Sequence, residues 1–173
     1  MPMINLRKIS LAATLCLFLG GTNNALAFDL PFLSQTSDEA STTPKTAPEN
    51  ESSSSWASTA QEIILHALSQ TGVKYKYGGI NPDSGFDCSG FVRSMFEQTV
   101  GKVLPRRARD QAATGEKIDK QDLQPGDLVF FNTMRQTFSH VGIYVGDNKF
   151  IHSPRPGKQV KVEDMRDAYW DRR

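Results

Sequence analysis

The chain has 173 residues and a formal net charge of +1 at pH 7, which leaves room for one ordinary domain and an appendage. Charge is spread unevenly: residues 1–27 carry +2 (Arg7, Lys8), residues 28–56 carry −4, and the remainder carries +3. That balance is too mild for a nucleic-acid binder, which would show a concentrated basic stripe, and it is compatible with an anionic peptide or polymer as substrate.

In chain order, the first segment reads as a secretory signal. Arg7 and Lys8 precede an apolar run from Ile9 to Gly20, and Ala25-Leu26-Ala27 offers a small-x-small cleavage site. The run is too short to span a bilayer comfortably, so cleavage and export are expected rather than a retained anchor. Lipidation of Cys16 would need a small residue just before it; Leu15 stands there, and a lipoprotein is not expected. Residues 28–56 are rich in Ser, Thr, Pro, Asp and Glu, with a low-complexity tract from Ser52 to Ser55. Such a segment buries too little apolar surface to offset chain entropy, and is read as a disordered acidic tether. The folded domain is placed at 57–173.

That domain opens with a helix. Ala60, Ile64, Ala67, Leu68 and Thr71 fall on one face, Gly72 ends it, and His66 points away to solvent. Tyr75 to Gly79 is a short extended piece entering a turn, and Asn81-Pro82-Asp83-Ser84-Gly85 is a loop. A second helix begins at Asp87: Phe91, Val92, Met95, Phe96 and Val100 recur at helical spacing, and Gly101 stops it. Asp87 reads as the N-cap and Cys88 as a first-turn residue. A thiol there feels the positive end of the helix dipole and free backbone N–H groups, which favour the thiolate. With cleavage after Ala27, Cys88 is the one cysteine left in an exported chain, hence a reactive thiol to flag. A buried, inert cysteine is the commoner fate, but Asp87, Ser89 and Gly90 make the surroundings polar.

Beyond it, Asp110 to Gly115 suits one or two helical turns, and Leu123 to Asp127 is a turn launching the core strand Leu128 to Phe131. Strands are expected at 140–145, 149–153 and 159–162, with a short helix from Glu163. Helices followed by antiparallel strands define an α+β arrangement with a helix on one face of the sheet. A two-residue turn at Asp147-Asn148 would make opposed positions sum to 295 and put His140 and His152 on opposite faces. A three-residue loop from Gly146 makes the sum 294, opposes Ile143 with Ile151, and puts both histidines on one face as diagonal neighbours about 7–8 Å apart. The second register is favoured.

A catalytic reading then assembles: Cys88 as nucleophile, His140 as base, and His152 on the far nitrogen of His140 to fix its tautomer. The Cys88 N–H suits an oxyanion hole. One cysteine and two histidines could also bind zinc, but the close ligand pairs usual in zinc sites are missing, so no metal or cofactor is expected.

These residues resemble the NlpC/P60 cell-wall cysteine peptidases, a compact branch of the papain-like fold. The resemblance covers about residues 58–170. It rests, in order, on Tyr75-x-x-Gly78-Gly79, Asp87-Cys88-Ser89-Gly90-Phe91, Leu104-Pro105-Arg106 with Gln111, Pro125-Gly126-Asp127-Leu128, His140-Val141-Gly142-Ile143-Tyr144 and Phe150-Ile151-His152. It implies hydrolysis of peptidoglycan stem peptides or cross-links, at a γ-D-glutamyl or D-alanyl bond to the diamino acid. Cys88, His140 and His152 would be the triad. Tyr75 would shape the oxyanion pocket, Asp87 and Ser89 would hold the substrate's peptide end, and Arg106 would meet a substrate carboxylate. Helix capping alone would also explain Asp87. Arg107 and Ala108 depart from the small hydroxyl residues that often follow the Leu-Pro-Arg motif. The chain also ends at Arg173 where many relatives add a final strand. The partners implied are peptidoglycan peptides and a regulatory protein, acting on a monomer. A cysteine amidase cutting between sugar and peptide, or a non-catalytic wall-binding module, are the alternatives. The amidase usually carries an acidic or amide third residue, and the module would lack a triad member.

Overall fold

The computed structural model describes residues 3–5, 49–133 and 135–173. Most of the expected leader and tether therefore lies outside the described residues. Strand β1 (Met3–Asn5) is followed by helix α1 (Glu49–Ser69), which starts ahead of the domain boundary expected at Ala57 and takes in the end of the expected tether. Its buried stripe is Ala60, Ile63 and Ala67 with Ile64 half-buried. Leu68, expected on that face, is exposed, because about 100° per residue carries it past one margin of the stripe, whose centre is Ala60 and Ala67 and whose other side is Ile63. His66 lies 3.1 Å from Thr99 on the next long helix, so it is bonded rather than solvated.

A small ribbon of β2 (Ile80–Asn81) and β3 (Gly85–Phe86) leads into helix α2 (Cys88–Val100). Phe91, Val92, Met95 and Phe96 are buried as the periodicity requires, whereas Val100 is exposed at the helix end. Gly101 closes the helix: its N–H reaches the Glu97 carbonyl and the Lys102 N–H reaches that of Phe96. Gly90 is required by a close approach, since a Cβ there would sit 2.1 Å from the Gly79 carbonyl oxygen.

The short helix α3 falls at Ala108–Gln111, slightly earlier than expected, and β4 (Glu116–Ile118) was not foreseen. Then come β5 (Leu128–Phe131), β6 (His140–Gly146), β7 (Lys149–His152), β8 (Lys161–Asp164) and helix α4 (Ala168–Asp171). The last strand runs two residues beyond the stretch expected, and the final helix starts after Glu163 rather than at it. The sheet is antiparallel throughout, in the order β4-β1-β5-β6-β7-β8.

Strand alternation divides the core into two layers. Leu128, Phe130, Val141, Ile143 and Ile151 face α1 and α2, and pack against Ile63, Phe91, Val92 and Met95. Val129, Phe131 and Phe150 face the other way, where Met165 and Trp170 cover them. His140 and His152 belong to this second face: their rings touch Phe131, Phe150 and Trp170. The histidines are thus held by the layer opposite α2, and the N-terminus of α2 meets them at the start of β6.

Candidate active site

The N-terminus of α2 is built around Asp87. Its Oδ1 accepts the Gly90 N–H at 2.8 Å as an N-cap, and its Oδ2 accepts the Gly78 N–H at 2.9 Å. Arg106 approaches the same carboxylate with both prongs, Nη1 to Oδ1 at 3.0 Å and Nη2 to Oδ2 at 2.5 Å, and Nη1 also reaches Ser89 Oγ at 3.1 Å. Gln111 donates to the carbonyls of Ser89 (3.0 Å) and Pro105 (2.9 Å). The loop carrying Arg106 is thereby strapped to the first turn of α2.

Cys88 is a free, half-buried cysteine at the first position of α2. The N–H groups of Val141, Ser89 and Cys88 point at it. Burial, reinforced by the Asp87 charge, nevertheless pushes the thiol up to about 11. The thiolate favoured by helix position alone is therefore corrected: loss of hydration and a neighbouring carboxylate outweigh the backbone donors, and the resting group is the thiol.

His140 Nε2 lies 2.6 Å from His152 Nδ1, with the rings nearly perpendicular at 88°. Burial, with His152 second, holds His140 well below its usual value; burial also lowers His152, against the pull of Glu163. His152 Nε2 is 2.7 Å from Glu163 Oε2, which also accepts the Trp170 indole N–H at 3.1 Å, while Lys161 donates to Glu163 Oε1. Burial opposes the charge on Glu163, but the His152 and Lys161 hydrogen bonds overcome it and bring the carboxyl down to about 2. Trp170 stacks on His140 at 5.5 Å and meets His152 edge-on at 5.1 Å.

The hairpin delivers both rings to one face by a different route from the loop expected. Ile143 opposes Ile151 and Tyr144 opposes Phe150, the favoured register, but Gly146 pairs with Lys149 across a two-residue turn. Asp147 (φ 51°) and Asn148 (φ 58°) form that turn, and Val145 is a bulge that restores the register below it. Gly142 is the second glycine that geometry demands: a Cβ there would lie 2.6 Å from the Phe150 ring and 3.2 Å from His152 Cβ.

Cys88 stands where two clefts meet. One, of about 550 Å³, is lined by Tyr75, Asp87, Ser89, Arg106 and the segment Gln136 to Ser139. The other, of about 570 Å³, is lined by Tyr75, His140, Glu163 and Trp170 among others. Tyr75 borders both, and burial followed by the nearby Cys88 raises its phenol. Of the candidate site residues, Tyr75, Asp87, Cys88, Ser89, Arg106 and His140 lie on these walls, and His152 is fully buried behind His140. Glu163 and Trp170 were missed. The one signal that could have revealed Glu163 is the alternation of Lys161, Val162 and Glu163, which continues the strand two residues further. Among the described residues, no group of three or more His, Cys, Asp or Glu is arranged to hold a metal ion.

Helices packed on an antiparallel sheet, with a free cysteine at the N-terminus of α2 and a bonded histidine pair on β6 and β7, define the class of papain-like α+β domains. The family described as NlpC/P60 matches residues 72–173, and the chain belongs to it. It is 43% identical over 109 residues to the gamma-DL-glutamyl hydrolase of Bacillus subtilis, covering 62% of this chain and 26% of that protein. It is 41% identical over 117 residues to the murein DD-endopeptidase MepH of Escherichia coli, covering 65% of this chain and 43% of that one. Among solved structures, the NlpC/p60 domain of the peptidoglycan hydrolase SagA superposes with a TM-score of 0.58 at 34% identity, over 64% of this chain and 92% of that domain. The chain thus spans less than half the length of these two curated relatives.

Proposed function

We propose that this protein is an exported cysteine endopeptidase that hydrolyses peptide bonds in peptidoglycan stem peptides or their cross-links. The observation that carries the reading is the juxtaposition at the start of β6. The Cys88 sulfur receives the N–H of Val141, the residue next to His140, while His140 Nε2 is engaged by His152 and leaves Nδ1 for the thiol. The relatives' names, a glutamyl hydrolase and a murein endopeptidase, support the substrate class.

On this reading the thiol and a neutral His140 react together. His140 Nδ1 takes the thiol proton as sulfur attacks the scissile carbonyl, and the oxyanion is met by the Cys88 N–H with Tyr75 at its side. His140 then protonates the leaving amine. Water, deprotonated by His140, cleaves the thioester and regenerates the thiol. Asp87, Ser89 and Arg106 form the charged wall on which a substrate terminus would seat. Residues 1–27 serve as the export leader, whose removal takes β1 out of the sheet and leaves β5 to β8 to carry the site; the enzyme works as a monomer without a cofactor, subject to a regulatory protein partner.

The test is mass spectrometry of muropeptides released from purified peptidoglycan by the chain and by Cys88→Ala. Products formed only with the intact cysteine are expected, and their masses name the bond. Equal release by the variant would sink the reading.

A further inference from the structure

We propose that Glu163 is a positioning residue that sets the ring protons of both histidines, extending the Cys88–His140–His152 series by a fourth member. The inference rests on the catalytic reading above for its kinetic consequence, and on geometry for its substance.

The argument follows the protons along one line of hydrogen bonds. An ionised carboxylate only accepts, so the 2.7 Å contact between Glu163 Oε2 and His152 Nε2 requires the proton on that nitrogen. A neutral His152 then has its lone pair on Nδ1, and the 2.6 Å contact with His140 requires the His140 proton on Nε2. The lone pair of His140 is thereby left on Nδ1, the form a base needs to take a proton from Cys88. With the ring protons reversed, Nδ1 would carry the proton and His140 would have no lone pair left to take one from the thiol.

Glu163 is held to this role from three elements: His152 on β7, Lys161 on its own strand, and Trp170 on α4, with Asp167 on the same cleft wall. Lys161 donates to Oε1 while Trp170 and His152 meet Oε2. Both oxygens must therefore accept. A glutamine at this position has one accepting and one donating end, so it can satisfy Lys161 or Trp170 but not both. Lys161 can only donate, whereas His152 can exchange tautomers, so the glutamine oxygen faces Lys161, its N–H groups turn toward His152 Nε2, and the series reverses.

The experiment compares the chain with Glu163→Gln and Cys88→Ala, using 15N NMR of the histidine rings and steady-state turnover of peptidoglycan-derived peptides. In the unaltered chain both rings are expected to carry the proton on Nε2. In Glu163→Gln the proton moves to Nδ1, kcat falls about 10- to 100-fold with KM little changed, as for other buried partners that orient a ring. The acid limb of kcat shifts to lower pH, because a charge that favoured protonated His140 is gone. A packing role alone would move neither the tautomers nor the limb. Nδ1 protonation in the unaltered chain, which needs no variant, overturns the proposal. So do unchanged tautomers and kinetics in Glu163→Gln. Turnover by Cys88→Ala would remove the catalytic reading instead, and the ring tautomers would still decide the role of Glu163.

Discussion

Cys88 sits between two opposing influences. Two backbone N–H groups at the start of α2 and a third from Val141 on β6 stabilise a thiolate, and burial beside Asp87 destabilises it more, so the thiol is pushed up to about 11 while His140 is held well below the usual histidine value. The resting state is then thiol and imidazole rather than an ion pair. Both forms hold the same number of protons, so a bell-shaped rate profile is expected either way, and only the positions of its limbs distinguish them. The acid limb, where His140 protonates, should lie below pH 6.5, and the alkaline limb near 11. Ultraviolet absorbance of the thiolate should rise with the same alkaline midpoint. A midpoint near that of an activated cysteine, below about 7.5, would contradict the neutral pair.

At the scale of elements, the hairpin of β6 and β7 is where register becomes chemistry. A one-residue slip would send His152 through to the α2 face, and the bulge at Val145 is what prevents it. Gly142 completes the arrangement by leaving room beside the His152 side chain. Gly142→Ala should therefore destabilise the fold by about 1–3 kcal/mol through overpacking, and should reduce turnover by displacing His152. Urea midpoints and kcat measured on the same sample check both. A variant as stable and active as the parent would show that Phe150 and His152 can move aside without consequence.

For the whole molecule, the two histidines couple stability to pH. Their folded values are depressed, so the unfolded chain binds protons that the folded chain refuses. The stability they protect is fully present above about 6.5 and is lost as pH falls toward the depressed folded values, by up to about 1.4 kcal/mol per pH unit for each ring. Glu163 adds a second, more acid loss: its contribution is present above its ordinary value of 4.5 and disappears as pH falls through about 2. A series of urea midpoints from neutral to acid pH should decline from about 6.5 downward. His140→Gln should flatten part of that slope; an unchanged slope would place the titrating groups elsewhere.

What the sequence by itself determined was local. The N-cap at Asp87, the stop at Gly101 and the apolar face of α2 from Phe91 to Phe96 depend on residues a few positions apart, and are found where their spacing puts them. The order of short motifs defined the family and the α+β arrangement, and the parity between Ile143 and Ile151 placed both histidines on one face. Tertiary structure decided the rest. Glu163 becomes the partner of His152 only because β8 pairs with β7, and Trp170 covers the rings only because α4 folds back over that face. The state of the thiol depends on how much water the assembled core removes from it. Spacing along a chain reports which side chains share a face. Proton affinities depend on burial and on partners brought from distant strands, which exist only once the chain has folded.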